Sequence, residues 1–193
     1  MNGAEKKQFV EKIHRQFIDS MYPDFGWENK PNYAKIEVVP LLSLGGTIIS
    51  SDVNRTIYIN SDLEGEVPLI ATPAHESGHS IYQMHHVFAR RAIDAGNVDE
   101  RGRVVFSDYE VFLGENVAEL GALVFVSRHY PLLLTEAKKY SREVRGSFAL
   151  KLFKKDSGLL KKLSCLDVEP ARDLILKEIG EDISIERLTV WST

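Results

Sequence analysis

The stretch SDYEVFLGENVAELGALVFVSRHYP, from Ser107 to Pro131, restricts the fold of this chain more than any other. Ser107 and Glu110 have the spacing of a capping box, and Pro131 interrupts whatever follows His129, so a helix from Ser107 to about His129 is expected. Val111, Leu113, Val117, Leu120 and Leu123 cover much of its circumference, which places it inside the protein. Yet Glu115 and Glu119 lie about 40° apart on one stripe, with only Ala118 and Ala122 beside them. Buried carboxylates need partners. A metal for Glu115 and a histidine N–H for Glu119 would supply one each.

A second segment, PAHESGHSIYQ from Pro73 to Gln83, offers such partners. A helix is expected to begin near Thr72, with Thr72 as its cap and Pro73 in its first turn, and to run to about Ala89 or beyond. On that helix His75 and His79 differ by about 40°, and Glu76 lies about 100° from His75 and 60° from His79. Two imidazoles can then hold one ion while Glu76 reaches a water on it. A catalytic zinc takes three protein ligands and keeps one position open. Glu115 is the candidate third ligand. Gly78 on one helix and the alanine stripe on the other let the two axes approach closely enough for a carboxylate–metal bond of about 2.0–2.2 Å. Against this stand two plainer readings, a chance pair of histidines and a solvated carboxylate face. Of the six histidines, His86 would fall about 10 Å further along the same face, His85 points elsewhere, His129 is far along its helix, and His14 reads as a surface residue.

The rest of the chain reads as α+β. Residues 4–20 form an amphipathic helix on Phe9, Ile13 and Phe17. Three strand-like pieces follow, Ile36–Val39, Thr47–Ile49 and Thr56–Ile59, the last two joined by a hairpin turn over Ser50–Arg55. In the third, the isoleucines share one face. A polar loop spans Asp94–Arg103. Beyond Leu132 the chain is mostly helical, with breaks near Gly146, Ser157–Gly158, Glu169–Pro170 and Gly180, and an ambiguous stretch over Ile183–Trp191. A length of 193 residues with 44% hydrophobic content supports one domain with its own core. A net charge of −4 and no basic run argue against nucleic acid. No segment approaches the roughly 20 apolar residues that span a bilayer, and no signal-peptide-like run opens the chain, so a cytoplasmic protein is expected. The single cysteine, Cys165, fits a reducing compartment and reads as a buried structural thiol.

The pattern His75-Glu76-Ser77-Gly78-His79 followed by Gly114-Glu115-Asn116-Val117-Ala118-Glu119 resembles the gluzincin metallopeptidases, which include thermolysin and neprilysin. The second segment is most similar to the neprilysin type, with Glu119 where that type has Asp. The first looks more like thimet-type oligopeptidases and zinc carboxypeptidases. The resemblance covers roughly residues 45–122. It implies a single zincin-like domain over 1–193. A small N-terminal sheet and active-site helix (about 1–95) would face a helical C-terminal half (about 96–193) across a zinc cleft. It implies Zn2+ held by His75, His79 and Glu115, with Glu119 orienting His75 and Glu76 as the catalytic base. The implied activity is peptide-bond hydrolysis of a peptide or protein substrate, by an endopeptidase or oligopeptidase. A zinc carboxypeptidase and a catalytically idle zinc-binding or interaction domain are the alternatives. A structural zinc is usually closed by four Cys-rich ligands, which one cysteine does not supply. The resemblance also places an edge strand for substrate pairing near Thr56–Asn60. Tyr109, Tyr130, Tyr140, Arg142 and Arg145 are all candidates for a donor to the reacting oxygen, and the sequence singles out none.

Overall fold

A computed structural model describes residues 1–49, 55–145 and 148–180. The first helix, α1 (Gly3–Met21), opens on a capping box between Asn2 and Glu5. It buries Val10, Ile13, Phe17, Ile18 and Met21, the face its periodicity marks. A 3-10 turn over Tyr22–Phe25 ends at Gly26, whose φ of 81° suits glycine. Three strands follow: β1 (Lys35–Val39), β2 (Gly45–Ile49) and β3 (Arg55–Asn60). Their order is β1-β3-β2, with β1 parallel and β2 antiparallel to β3. Ile57 and Ile59 are buried on one face, as the alternation requires, against Val10, Ile36 and Leu63. Most of the hairpin turn expected at Ser50–Arg55 lies outside the described residues, as do the break at Gly146 and the stretch Ile183–Trp191.

The metal-motif helix differs from its expected form at both ends. As α2 (Glu66–Ile81) it starts well before Thr72, after Gly65 at φ 90°. Thr72 is therefore no cap; its hydroxyl lies 2.9 Å from the Tyr140 hydroxyl. Pro73 sits inside the helix, where it forgoes one backbone hydrogen bond. Val67, Ile70 and Ala71 add apolar burial over the extra turns. The helix also stops early. Tyr82 is extended (φ −63°, ψ 111°), and a separate helix, α3 (Gln83–Asp94), begins behind it. His85 and His86 thus leave the face extrapolated from His79.

The helix α4 (Asp108–His129) matches its sequence signature, with Ser107 and Glu110 forming the capping box. Leu113, Val117, Leu120 and Leu123 are buried, while Val111 in the first turn is exposed. A 3-10 turn at Pro131–Leu133 leads into α5 (Leu134–Arg145), α6 (Phe148–Lys155), α7 (Leu159–Ser164) and α8 (Val168–Ile179). Asp167 caps α8, so Pro170 lies in a first turn rather than at a break. The main core joins α1, α2, α4 and the C-terminal helices in one cluster. Among the described residues no helix is long and apolar enough to cross a membrane.

Two single residues depart from expectation. Cys165 is exposed rather than buried, its thiol 3.4 Å from the Gln83 side-chain oxygen. His14 is fully buried, not on the surface. Its Nε2 accepts from the Ala34 N–H at 3.0 Å, which leaves Nδ1 to donate to Ser77 Oγ at 2.8 Å. Burial, aided by Arg15, lowers its pKa to about 4. The neutral ring is the folded form, so the unfolded chain takes up this proton first. Stability contributed by His14 is intact above its ordinary pKa near 6.5 and is lost as pH falls through about 4. Urea titrations are expected to show wild type losing about 3 kcal/mol more than His14→Gln between pH 7 and 4.

Candidate metal centre

The site forms where α2 crosses α4. Gly78 makes the crossing close: a Cβ there would lie 2.8 Å from Ala118 Cα and 3.0 Å from its carbonyl oxygen. No larger residue fits without parting the helices. The stripe of small residues read from the sequence is this contact.

That approach brings three side chains together. His75 Nε2 lies 3.0 Å from His79 Nε2 and 3.1 Å from Glu115 Oε2, and His79 Nε2 lies 3.3 Å from Glu115 Oε1. Four-coordinate zinc with bonds of about 2.0–2.2 Å separates neighbouring donors by about 3.4 Å, close to these edges. The donor chemistry also fits a cation. His75 Nδ1 donates to Glu119 Oε2 at 2.8 Å, so its Nε2 carries a bare lone pair. That lone pair lies 3.1 Å from Glu115 Oε2, an acceptor–acceptor contact that a cation between them would relieve. The cluster meets the geometric requirement for holding a metal ion. Glu119 is buried and Glu115 partly exposed, so the opening lies on the Glu115 side.

No family model, curated protein or solved structure matches this chain.

Glu76 stands beside the cluster without joining it. Its carboxylate is 3% exposed as a residue and receives the Thr47 hydroxyl at 2.9 Å. Thr47 comes from β2, an edge strand among the described residues; β3, which spans Thr56–Asn60, is central and paired on both sides. The edge expected at Thr56–Asn60 is thus at Gly45–Ile49 instead, because the antiparallel partner covers β3. The sequence signal for this is Gly45. A Cβ at Gly45 would lie 3.0 Å from the Tyr58 carbonyl and 3.3 Å from Glu76 Cγ, so glycine is what lets this strand reach the site.

Two further residues enter the site without having been singled out. The Tyr82 break swings His85 inward, so that its ring stacks on His79, 5.3 Å between centroids at 2°. Gly114 makes room for it: a Cβ there would lie 2.2 Å from His85 Nε2. Burial drives the His85 pKa well below the ordinary value, aided by His79, so the ring is a neutral wall. The second is Arg145, at the end of α5. Its guanidinium touches His75 Nε2 at 2.7 Å, Glu119 at 3.2 Å, Glu115 at 3.4 Å and Glu76 at 3.7 Å. Of the candidate donors read from the sequence, this one reaches the cluster directly.

The electrostatics follow from burial among opposed charges. Burial opposes charge on His75 and so does Arg145, but Glu115 and Glu119 outweigh both and raise its pKa. Burial likewise opposes charge on Glu115, yet His79 and His75 hold its carboxyl well below the usual range. Glu119 is lowered against burial chiefly by its hydrogen bond from His75. The cleft over the cluster holds about 250 Å³. It is lined by Gly45, Gly46 and Thr47 of β2 together with Glu76, His79, Glu115 and Arg145, and by His85, Phe106 and Val111.

Proposed function

We propose that this chain is a zinc-dependent peptidase of the gluzincin kind, with His75, His79 and Glu115 as metal ligands and Glu76 as the general base. The observation that carries the reading is the convergence of two imidazole nitrogens and a carboxylate at 3.0–3.3 Å, with a second carboxylate alongside. Two imidazoles and one carboxylate form a donor set that zinc takes in hydrolytic sites. When bound, zinc supplies Lewis acidity, which acidifies a water and polarises a carbonyl.

The protein's own groups do the rest. Thr47 holds one oxygen of Glu76, leaving the other to accept a proton from the attacking water and pass it to the leaving amine. Glu119 fixes the tautomer of His75. The edge strand β2 borders the cleft, so an extended peptide can add to the sheet there and lie across Glu76.

Charge favours an internal amide over a substrate with a free carboxylate. Three carboxylates surround Arg145, and one divalent ion together with that guanidinium matches them. Among the described residues the cation at the cluster is Arg145, and Glu76 and Glu119 still face it when a divalent ion takes His75 and Glu115, so the endopeptidase or oligopeptidase reading stands ahead of the carboxypeptidase one.

The test combines elemental analysis with a peptide-library digest read by mass spectrometry. One zinc per chain and internal cleavage that stops on chelation and returns with zinc are expected. A metal-loaded protein that cleaves no peptide would reduce the site to a binding role.

A further inference from the structure

Arg145 places a guanidinium directly against the candidate metal ligands. Its side chain is 12% exposed and meets every ionic member of the cluster except His79. The contact with His75 is the informative one. Nδ1 of that ring donates to Glu119, so Nε2 has one in-plane lone pair, and Arg145 Nη1 lies 2.7 Å from it. One lone pair serves a guanidinium hydrogen or a metal, not both. The same Nη1 also faces Glu115 Oε2 at 3.4 Å.

The guanidinium is held in place by more than the metal ligands. Its Nε lies 3.2 Å from Glu119 Oε2, and Nη2 lies 3.7 Å from Glu76 Oε1. Neither carboxylate belongs to the three-ligand set. Arg145 also ends α5, where a cation is favoured by the helix dipole.

We infer that Arg145 is a built-in competitor of the metal: its guanidinium holds the three carboxylates and His75 together before loading, and an incoming divalent ion must displace it from His75 and Glu115. This rests on the reading of His75, His79 and Glu115 as metal ligands. Arg145 is on this view a positioning residue that sets the affinity of the site. Without a cation, Glu76, Glu115 and Glu119 would repel one another across a buried space. With one in place, any metal meets both a filled lone pair and a like charge.

Such a role has a signature that a merely structural residue lacks. Removing a structural prop lowers metal-free stability and metal affinity together. Removing a competitor lowers the first and raises the second. The experiment compares wild type with Arg145→Gln, using calorimetric melting of the metal-free proteins and zinc affinity by competition with a chromophoric chelator. The metal-free variant is expected to melt below wild type, and to bind zinc at least tenfold more tightly. Arg145→Lys keeps the charge but lacks the fork that reaches four partners, and it carries the comparison if the neutral variant does not fold without metal. Its zinc affinity is expected to rise severalfold, and no rise overturns the proposal. Equal or weaker zinc binding by Arg145→Gln overturns the competitor role while leaving the metal site standing. Zinc uptake by neither wild type nor variants overturns both.

Discussion

Glu76→Gln is expected to lower peptide turnover by about 10³-fold or more while the protein keeps its zinc. General-base catalysis contributes about 10²–10⁴-fold, so the loss corresponds to roughly 4 kcal/mol of transition-state stabilisation. The substitution is well suited to the question. The glutamine oxygen can still accept the Thr47 hydroxyl that lies 2.9 Å from Glu76 Oε2, so the side chain keeps its position and its volume. What it loses is the capacity to take a proton. Steady-state kinetics on a cleaved library peptide, with zinc measured on the same sample, separates chemistry from loading. Wild-type turnover in Glu76→Gln would remove Glu76 from the mechanism, whatever the metal content.

The second large effect falls on binding rather than chemistry. Glu115→Gln is expected to weaken zinc binding by more than about 100-fold, since loss of an outer hydrogen-bond partner alone costs about 10–100-fold. The reasons are local. Glu115 is the one anionic donor of the three, spanning 3.1 Å to His75 and 3.3 Å to His79. A neutral amide oxygen is a poorer ligand for a hard or borderline cation. Glu115 also raises the His75 pKa, so its loss should lower the pH at which that ring gives up its proton. The ring can then serve as a ligand at lower pH, which offsets only part of the lost affinity. Chelator competition at two pH values reads both effects. Undiminished zinc binding in Glu115→Gln would exclude this residue as a ligand, and with it the three-donor site. Glu76→Gln and Glu115→Gln thus fail in different observables, one in turnover and one in loading.

Much of this centre is legible in the sequence. The capping box at Ser107 and Glu110 acts within one turn, so residue order reports it faithfully. His75 and His79 are one turn apart on any helix, and Glu115 and Glu119 likewise. The small residues Gly78 and Ala118 announced a close crossing because only a missing side chain permits one. Gly45 marks a close approach in the same way, its missing Cβ leaving room for the Tyr58 carbonyl and Glu76. Helix limits were less legible. The start of α2 at Glu66 and its stop at Tyr82 depend on what the flanking turns pack against, and Pro73 tolerates a helix interior when enough apolar surface is buried around it.

The chain alone determined which side chains share a helix face: the two imidazoles with Glu76, and the paired carboxylates in an apolar helix that had to be buried. These follow from backbone periodicity, which is a local property. Only the tertiary structure decided who meets across distance. His14 pairs with Ser77, Thr47 with Glu76, and Arg145 with His75, each contact joining residues far apart in the chain. Periodicity marks a face without naming its partner. The partner is set by how whole helices and strands fill space together, and by the electrostatic need to place a cation among three clustered carboxylates, two of them buried.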